Sequence, residues 1–392
     1  MKKFKYIIIG GGMTGDSAAK GIREIDKEGT IALISSEPHL PYDRPPLTKD
    51  LWKGKEVEKI YRGTDKLNAE IILNTEITSI NPSAKEITDN KNNRYTYEKL
   101  LIATGGKVIK LPFGEEHILY YRTLKDYEKL TLLAKTKNNF IVIGGGFIGT
   151  EIAAALAMNG KKTTIVFPEM LIGERVFPKD LAEFVTKFYE DKGITIISGE
   201  SALGIEKKGE KLVLTTSSGK EIKTDAVVGG IGIRPNTEIA KSAGIKTDNG
   251  ITVDKFLRTS IDNIYAAGDT ANFYNPVLDK RIRIEHADNA NKMGKHAGLN
   301  MAGNEKPYNY LPFFYSDMFE LGYEAIGELN SSYDTYSDWV TPFRKGVVYY
   351  LNHGKLRGVL LWDVWGKVDE ARELIASKQG FKPEELKGKI MG

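Results

Sequence analysis

The sequence predicts a mixed α/β fold: two parallel-sheet units in succession, followed by a smaller α+β segment. Three observations carry that expectation. An apolar run that breaks into clustered glycines stands at residues 6–15, a nearly identical run recurs at 140–149, and from about Lys306 the chain turns to aromatic residues and alternating strands. At 392 residues the chain also exceeds what one hydrophobic core usually serves.

Ile7, Ile8 and Ile9 have the unbroken β-branched character of a strand buried on both faces, and helical spacing resumes at residues 17–22. The glycines therefore sit at a strand-to-helix turn. Gly10, Gly12 and Gly15, with Met13 and Thr14 between them, give G-x-G-x-x-G: one glycine for a tight turn, one for close approach of a pyrophosphate, one for helix–strand packing. The helix N-terminus adds unpaired N–H groups and partial positive charge. A second strand at 30–37 ends on Ser36 and Glu37, about twenty residues past Gly15, where an acid binds a ribose and Ser36 can share the role.

Residues 41–52 read as a proline-stiffened loop leading into a helix with Thr48 as N-cap. The prolines hold Arg44 and Lys49 in fixed relation, and a basic pair beside a phosphate cradle suits an anionic cofactor. Strands are expected at 70–73, 76–80 and 95–97. A buried strand from Lys99 ends at the turn Ala103-Thr104-Gly105-Gly106.

The second run repeats the first: Gly144, Gly146 and Gly149 enclose Phe147 and Ile148, a helix follows, and a strand at 162–169 ends on Glu169, again about twenty residues past the third glycine. Two complete fingerprints with both acids in register predict two Rossmann-like dinucleotide-binding domains. Short strands with a glycine hairpin at 217–220 come next, and residues 225–236, including Gly232, end the second unit. A buried strand closing on Gly268-Asp269, then a helix starting at Glu285-His286-Ala287, return the chain to the first domain. Strands at 346–351 and 356–363 are joined by a turn at Asn352-His353-Gly354-Lys355, a helix at 366–378 ends the chain, and Phe313, Phe314 and Tyr315 read as core or as a cofactor-facing wall, with core favoured. The expected domains are 1–112 and 244–305 for the first site, 113–243 for the second, and 306–392 for the C-terminal α+β part.

Composition removes several classes of function. With 56 basic and 52 acidic residues the net charge of +4 is too small to make nucleic acid the main ligand. No apolar run approaches the roughly eighteen residues of a membrane span, and the basic start runs directly into the first strand rather than into a targeting segment, so a cytoplasmic protein is expected. The absence of cysteine excludes disulfides, thiolate metal sites, iron–sulfur ligation and a catalytic thiol. Five histidines lie scattered without metal-ligand spacing, and no metal is expected.

The paired fingerprints, the 103–106 turn and the Gly268-Asp269 strand end resemble the two-dinucleotide flavoprotein family, in which FAD and a nicotinamide cofactor occupy sister domains. Residues 41–52 are similar to the ferredoxin reductase branch. Phe167-Pro168-Glu169, Glu285-His286, Phe314-Tyr315-Ser316-Asp317 and residues 322–327 resemble apoptosis-inducing factor-like proteins, and the likeness covers essentially the whole chain. It implies that Gly10, Gly12 and Gly15 hold the FAD pyrophosphate, Glu37 the adenosine ribose and Asp269 the ribityl chain, with Arg44 and Arg122 on the same cofactor. Met13, Thr14, Ile77, Ala103, Thr104, Gly105 and Gly268 complete that set. Lys49 is implied at the flavin N5 edge, paired with Glu151 in a partly buried ion pair. Phe147 stacks on the nicotinamide beside Gly146, Ile148, Gly149 and Gly232, Glu169 binds the second ribose, and His286 and Tyr315, with Glu285 and Ala287, flank the flavin. Lys49, Glu151 and His286 form the implied catalytic set. Two positions depart from the pattern: Asp16 follows the third glycine in place of a small residue, where it either favours the helix N-terminus or weakens phosphate binding, and Tyr315 stands in place of tryptophan.

The implied chemistry is hydride transfer from nicotinamide to flavin N5. Without cysteine, electrons leave the flavin directly, to a ferredoxin- or rubredoxin-like protein, a quinone or oxygen. Glu169 favours NADH over NADPH, because a carboxylate accepts from a 2′-hydroxyl and repels a 2′-phosphate, while Arg175 and Lys162 leave NADPH open. The alternative from the same resemblance is an NADH-sensing flavoprotein with slow turnover and redox-dependent dimerisation; a peroxide-producing NADH oxidase is third. Monomer and homodimer are both compatible with the sequence.

Overall fold

Strand Lys2–Ile9 runs parallel to Ile31–Ile34 on one side and to Arg94–Ile102 on the other, with Ile7 and Ile8 opposite Leu100 and Leu101. All four of these residues are fully buried, as three consecutive isoleucines facing apolar surface on both sides require. The computed structural model describes residues 1–391 and divides into two units: 1–44, 56–107 and 234–312 form the first, and 45–55, 108–233 and 313 onward form the second.

The first unit carries a seven-stranded sheet in the order Glu70–Ile72, Ile31–Ile34, Lys2–Ile9, Arg94–Ile102, Glu86–Asp89, Ile77–Asn81. Strand Ile264–Ala266 adds to it in parallel with Arg94–Ile102, so the chain does return to the first sheet, as expected. The separate strands expected at 95–97 and from Lys99 are one strand of nine residues, because the exposed Glu98 and the half-buried Lys99, which pairs with Tyr6 in the ladder, do not end it. Helices Met13–Ile25 and Ala287–Met301 pack backbone against backbone: a Cβ on Gly21, Gly294 or Gly298 would lie 2.2, 2.4 or 2.0 Å from a carbonyl oxygen of the facing helix.

The second unit contains a five-stranded parallel sheet, ordered Thr195–Ile197, Lys162–Val166, Asn139–Ile143, Ala226–Gly229, Ile118–Tyr120, and a three-stranded antiparallel sheet through 202–224. Its last part is a five-stranded antiparallel sheet backed by helix Val368–Ala376. The turn joining Lys345–Asn352 to Lys355–Trp362 has positive φ at His353 (51°) and Gly354 (73°), the two-residue geometry that matches strand twist. Two amphipathic helices, Leu124–Thr136 and Lys179–Asp191, add to the expected elements; the first is held by a capping box of Thr123 and Asp126.

Two expectations fail here. Residues 45–53 form two short 3-10 turns, Pro45–Thr48 and Asp50–Lys53, rather than a helix capped by Thr48. The consecutive prolines remove two N–H donors, and the Trp52 indole binds the Leu47 carbonyl at 2.9 Å, fixing the tighter winding. Phe313, Phe314 and Tyr315 are not core. The two phenylalanines are half-buried and Tyr315 is 39% exposed.

Candidate functional site

The two glycine cradles repeat each other in arrangement. At Gly10 φ is 125° and an added Cβ would lie 2.1 Å from the Ala103 carbonyl oxygen; at Gly15 it would lie 2.0 Å from the Gly10 carbonyl oxygen. Gly144 has φ of 115° with Gly230 oxygen at 2.5 Å, and Gly149 has Gly144 oxygen at 2.0 Å. These four glycines are fixed by turn and packing. Gly12 and Gly146 differ, since a Cβ on either would meet nothing within 4 Å. Each is also the N-cap of its helix and lacks a side-chain cap, so the first N–H groups face open space. A dinucleotide pyrophosphate fits this arrangement, because it needs a bare backbone and uncapped amides where the structural glycines leave no room.

In the first unit, both carboxylate oxygens of Glu37 are engaged, one by Arg44 Nη2 and the other by the Tyr42 hydroxyl at 2.6 Å. Burial opposes the Arg44 charge, but Tyr42 and Glu37, with Asp269 adding, hold its guanidinium firmly protonated. Ser36 is exposed beside them. Ala103 receives the end of the first strand, its N–H donating to Ile9 oxygen at 2.8 Å, and Thr104 exchanges two 2.9 Å hydrogen bonds with Asn236. Gly105 has φ of 63°, and its carbonyl accepts from the Asn236 N–H. Gly268, with φ of 76°, leaves only 2.3 Å between an added Cβ and the Thr14 hydroxyl, while Met13 is buried at the start of the same helix. Ile77 is 5% exposed and belongs to the unit's core.

Arg283 holds the segment carrying Asp269: it donates to the Asp269 carbonyl at 3.1 Å and pairs with the exposed Glu285. His286 is the N-cap of the helix that begins at Ala287, two positions later than the sequence suggests. Burial pushes its imidazole down to about 4 against the opposing charge of Asp269, so the ring is neutral at physiological pH.

In the second unit, Lys49 Nζ lies 2.6 Å from Glu151 Oε1, both residues less than a tenth exposed. Glu151 also accepts from the Thr48 and Ser316 hydroxyls, each at 2.6 Å, while Lys49 has a second partner in Asp317 at 3.4 Å and the Tyr315 ring centroid at 5.3 Å. The carboxylate sits in the second turn of helix Phe147–Met158, and the lysine between the two 3-10 turns. Thr48 thus spends its hydroxyl on Glu151 as well as on the Pro45 carbonyl. Arg122 donates its backbone N–H to Asp126 at the start of helix Leu124–Thr136. Phe147 tilts against Phe314 with centroids 5.2 Å apart, and Ile148 is 43% exposed at the mouth of the second cradle. Gly232 takes φ of 97°. Glu169 pairs with Arg175. Lys162 does not join them, because it starts the strand whose other end leads to Glu169, about 13 Å away at roughly 3.3 Å per residue. Among the described residues no group of three or more His, Cys, Asp or Glu side chains is arranged to hold a metal.

The family model described as pyridine nucleotide-disulphide oxidoreductase matches residues 4–294. The chain belongs to that family. A second model, the C-terminal domain of mitochondrion-associated apoptosis-inducing factor, matches residues 297–342. The chain is 35% identical to apoptosis-inducing factor 1 of Dictyostelium discoideum, covering 97% of this chain and 79% of that one, and 34% identical to monodehydroascorbate reductase 3 of Arabidopsis thaliana, covering 97% and 94%. Among solved structures, a putidaredoxin reductase in covalent complex with putidaredoxin superposes with a TM-score of 0.91 at 28% identity, over 98% of this chain and 96% of that one. A ferredoxin reductase from Rhodopseudomonas palustris gives the same score at 29% identity, over 97% and 96%.

As a pyridine nucleotide-disulphide oxidoreductase of ferredoxin reductase type, the protein is an FAD-dependent enzyme using NAD(P)H. It contains no cysteine, so the disulfide of the family's name has no counterpart here. Among the described residues no helix is long and apolar enough to cross a membrane. Thr48, Ser316 and Asp317 are partners of the Lys49–Glu151 pair that the sequence does not announce as such; the signal for Thr48 is its place next to Lys49. Asp16, ambiguous in sequence, is fully buried in the family's first fingerprint helix and accepts from Arg62 Nε at 2.6 Å, the Thr64 hydroxyl at 2.7 Å and Lys20 Nζ at 2.9 Å.

Proposed function

We propose that the protein is an NADH-dependent ferredoxin reductase: FAD rests on the cradle at Gly10–Gly15, NADH on the cradle at Gly144–Gly149, and electrons pass on to a small ferredoxin-type protein. The matched cradles carry this reading, each leaving one glycine open where a pyrophosphate needs bare backbone. The bound cofactors supply hydride transfer between nicotinamide C4 and flavin N5. The chain's own residues hold and orient. Glu37 receives a ribose with Arg44 keeping its carboxylate in place, and Glu169 does the same for the second ribose. Lys49, held in position by Glu151 and Asp317, would offer a positive charge to the bound flavin, in keeping with the lysine–glutamate pair that the family resemblance implies. Phe147 supplies the stacking surface for the nicotinamide. His286, neutral at physiological pH, contributes a hydrogen-bonding ring rather than a charge. Glu169 favours NADH because its carboxylate repels a 2′-phosphate, and Arg175 softens that preference.

The lack of cysteine supports direct electron exit from the flavin, and the likeness to a putidaredoxin reductase in complex with its partner supports a ferredoxin-type acceptor. The C-terminal match to apoptosis-inducing factor favours a second reading, an NADH-sensing flavoprotein of slow turnover that dimerises on reduction. One experiment separates them: anaerobic reduction with NADH or NADPH, then reoxidation in parallel by a ferredoxin, a quinone, monodehydroascorbate radical and air, with the assembly state followed by light scattering. Fast reoxidation by ferredoxin alone supports the reductase. Slow reoxidation by every acceptor, with a doubling of mass, supports the sensor.

A further inference from the structure

Arg62 lies outside both fingerprints, yet its guanidinium joins three segments of the first unit. Its Nε donates to Asp16 on helix Met13–Ile25, its Nη1 pairs with Asp43 in the loop that carries Arg44, and its Nη2 donates to Asn291 at 2.9 Å on the helix headed by His286 and Ala287, as well as to Ser17 at 3.1 Å. Its backbone completes the clasp, the N–H donating to the Pro41 carbonyl at 3.0 Å and the carbonyl accepting from Lys20 Nζ at 3.1 Å. Its side chain is only 11% exposed.

The position of Asp16 gives this clasp its significance. The residue directly follows Gly15 and its carboxylate is wholly buried, so without compensation it sets a negative charge next to a cradle for an anion. Arg62 and Lys20 cancel that charge, and Thr64 satisfies its other oxygen. A planar five-donor fork is the side chain that can meet Asp16, Asp43 and Asn291 together; a lysine cannot. We propose that Arg62 is a positioning residue for FAD retention: it neutralises Asp16 beside the pyrophosphate cradle and fixes the loop carrying Arg44 and the helix following His286 relative to it. The inference rests on the FAD assignment made above.

The test measures FAD release from the purified holoprotein after dilution, by recovery of free-flavin fluorescence, in wild type, Arg62→Met, Arg62→Lys, Asp16→Asn and the Asp16→Asn/Arg62→Met double variant. Arg62→Met leaves Asp16 with one cation and frees two segments, so release should accelerate on the order of tenfold to a hundredfold. Arg62→Lys, keeping the charge and losing the fork, should fall between wild type and Arg62→Met. The double variant removes the uncompensated charge and should recover a large part of the lost retention, which a purely structural network would not do. Release from Arg62→Met within about twofold of wild type, or a double variant no better than Arg62→Met, overturns the proposal. Should Arg62→Met not fold, Arg62→Lys releasing FAD as slowly as wild type overturns it equally. A wild-type protein that retains no FAD at all would instead refute the cofactor assignment beneath it.

Discussion

Lys49 Nζ and Glu151 Oε1 stand 2.6 Å apart with both side chains 7% exposed, although 102 residues separate them in sequence. Glu151 has three donors and Lys49 two acidic partners, so the pair is a hydrogen-bonded cluster rather than an isolated contact. Burying two charges costs solvation, and removing one partner leaves the other uncompensated. Glu151→Ala should therefore cost about 3 kcal/mol of stability, at the low end for a buried pair because Asp317 still faces the lysine. Chemical denaturation of the apoprotein measures this, and a loss below about 1 kcal/mol would show that the pair contributes little to the fold.

Lys49→Ala should leave the protein yellow while slowing flavin reduction by NADH on the order of a hundredfold, since the variant loses a fixed charge rather than a binding surface. Stopped-flow absorbance under anaerobic conditions reads the rate directly. An unchanged rate would remove Lys49 from the catalytic set.

The glycines of the first cradle should separate by role. Gly12→Ala meets no atom within 4 Å, so the apoprotein's melting temperature should stay within about 2 °C of wild type while FAD content falls sharply. Gly15→Ala places a methyl 2.0 Å from the Gly10 carbonyl and should lower the apoprotein's melting temperature itself. Equal effects of the two substitutions on the apoprotein would contradict the division between open and packed glycines.

At the second cradle, Glu169→Ala should raise the Michaelis constant for NADH and lower that for NADPH, shifting their ratio by about tenfold, and Arg175→Ala should shift it the other way. Steady-state kinetics with both nucleotides decides. A wild-type preference for NADPH would reverse the role given to Glu169.

His286 makes acid stability predictable. Burial lowers its imidazole to about 4, against about 6.5 in an unfolded chain, so between those values the unfolded state binds a proton that the folded state refuses. Stability should be full above about pH 6.5 and decline as the pH falls towards 4. His296, also lowered by burial, acts in the same direction. Urea midpoints of the apoprotein from pH 7 to 4.5 should show this slope, and His286→Asn should flatten it in part. An identical slope in the variant would mean that the imidazole is protonated normally.

Much of this protein is local, and what is local was legible. The isoleucines at 7–9 specify a strand buried on both faces, and the first and third glycines of each set specify a turn, because a positive φ or a carbonyl within about 2.5 Å admits no side chain. Duplication then makes two sites out of one motif. The turn at His353-Gly354 is legible for the same reason, since few residues tolerate left-handed backbone twice in succession.

What depends on distant neighbours was decided only by the tertiary structure. Tyr315 reads as core by its type and its strand, yet it stands exposed over Lys49, because alternation within a strand cannot say which face the rest of the chain covers. Thr48 looks like a helix cap until Glu151 arrives from 103 residues away to take its hydroxyl. Asp16 carries no local signal that Arg62 and Thr64 will meet it. Periodicity and glycine chemistry act over a few bonds and are written in sequence order. A buried charge finds its partner only when the fold brings separate segments together, so the sequence determined the two cradles, and the tertiary structure decided which charges stand guard beside them.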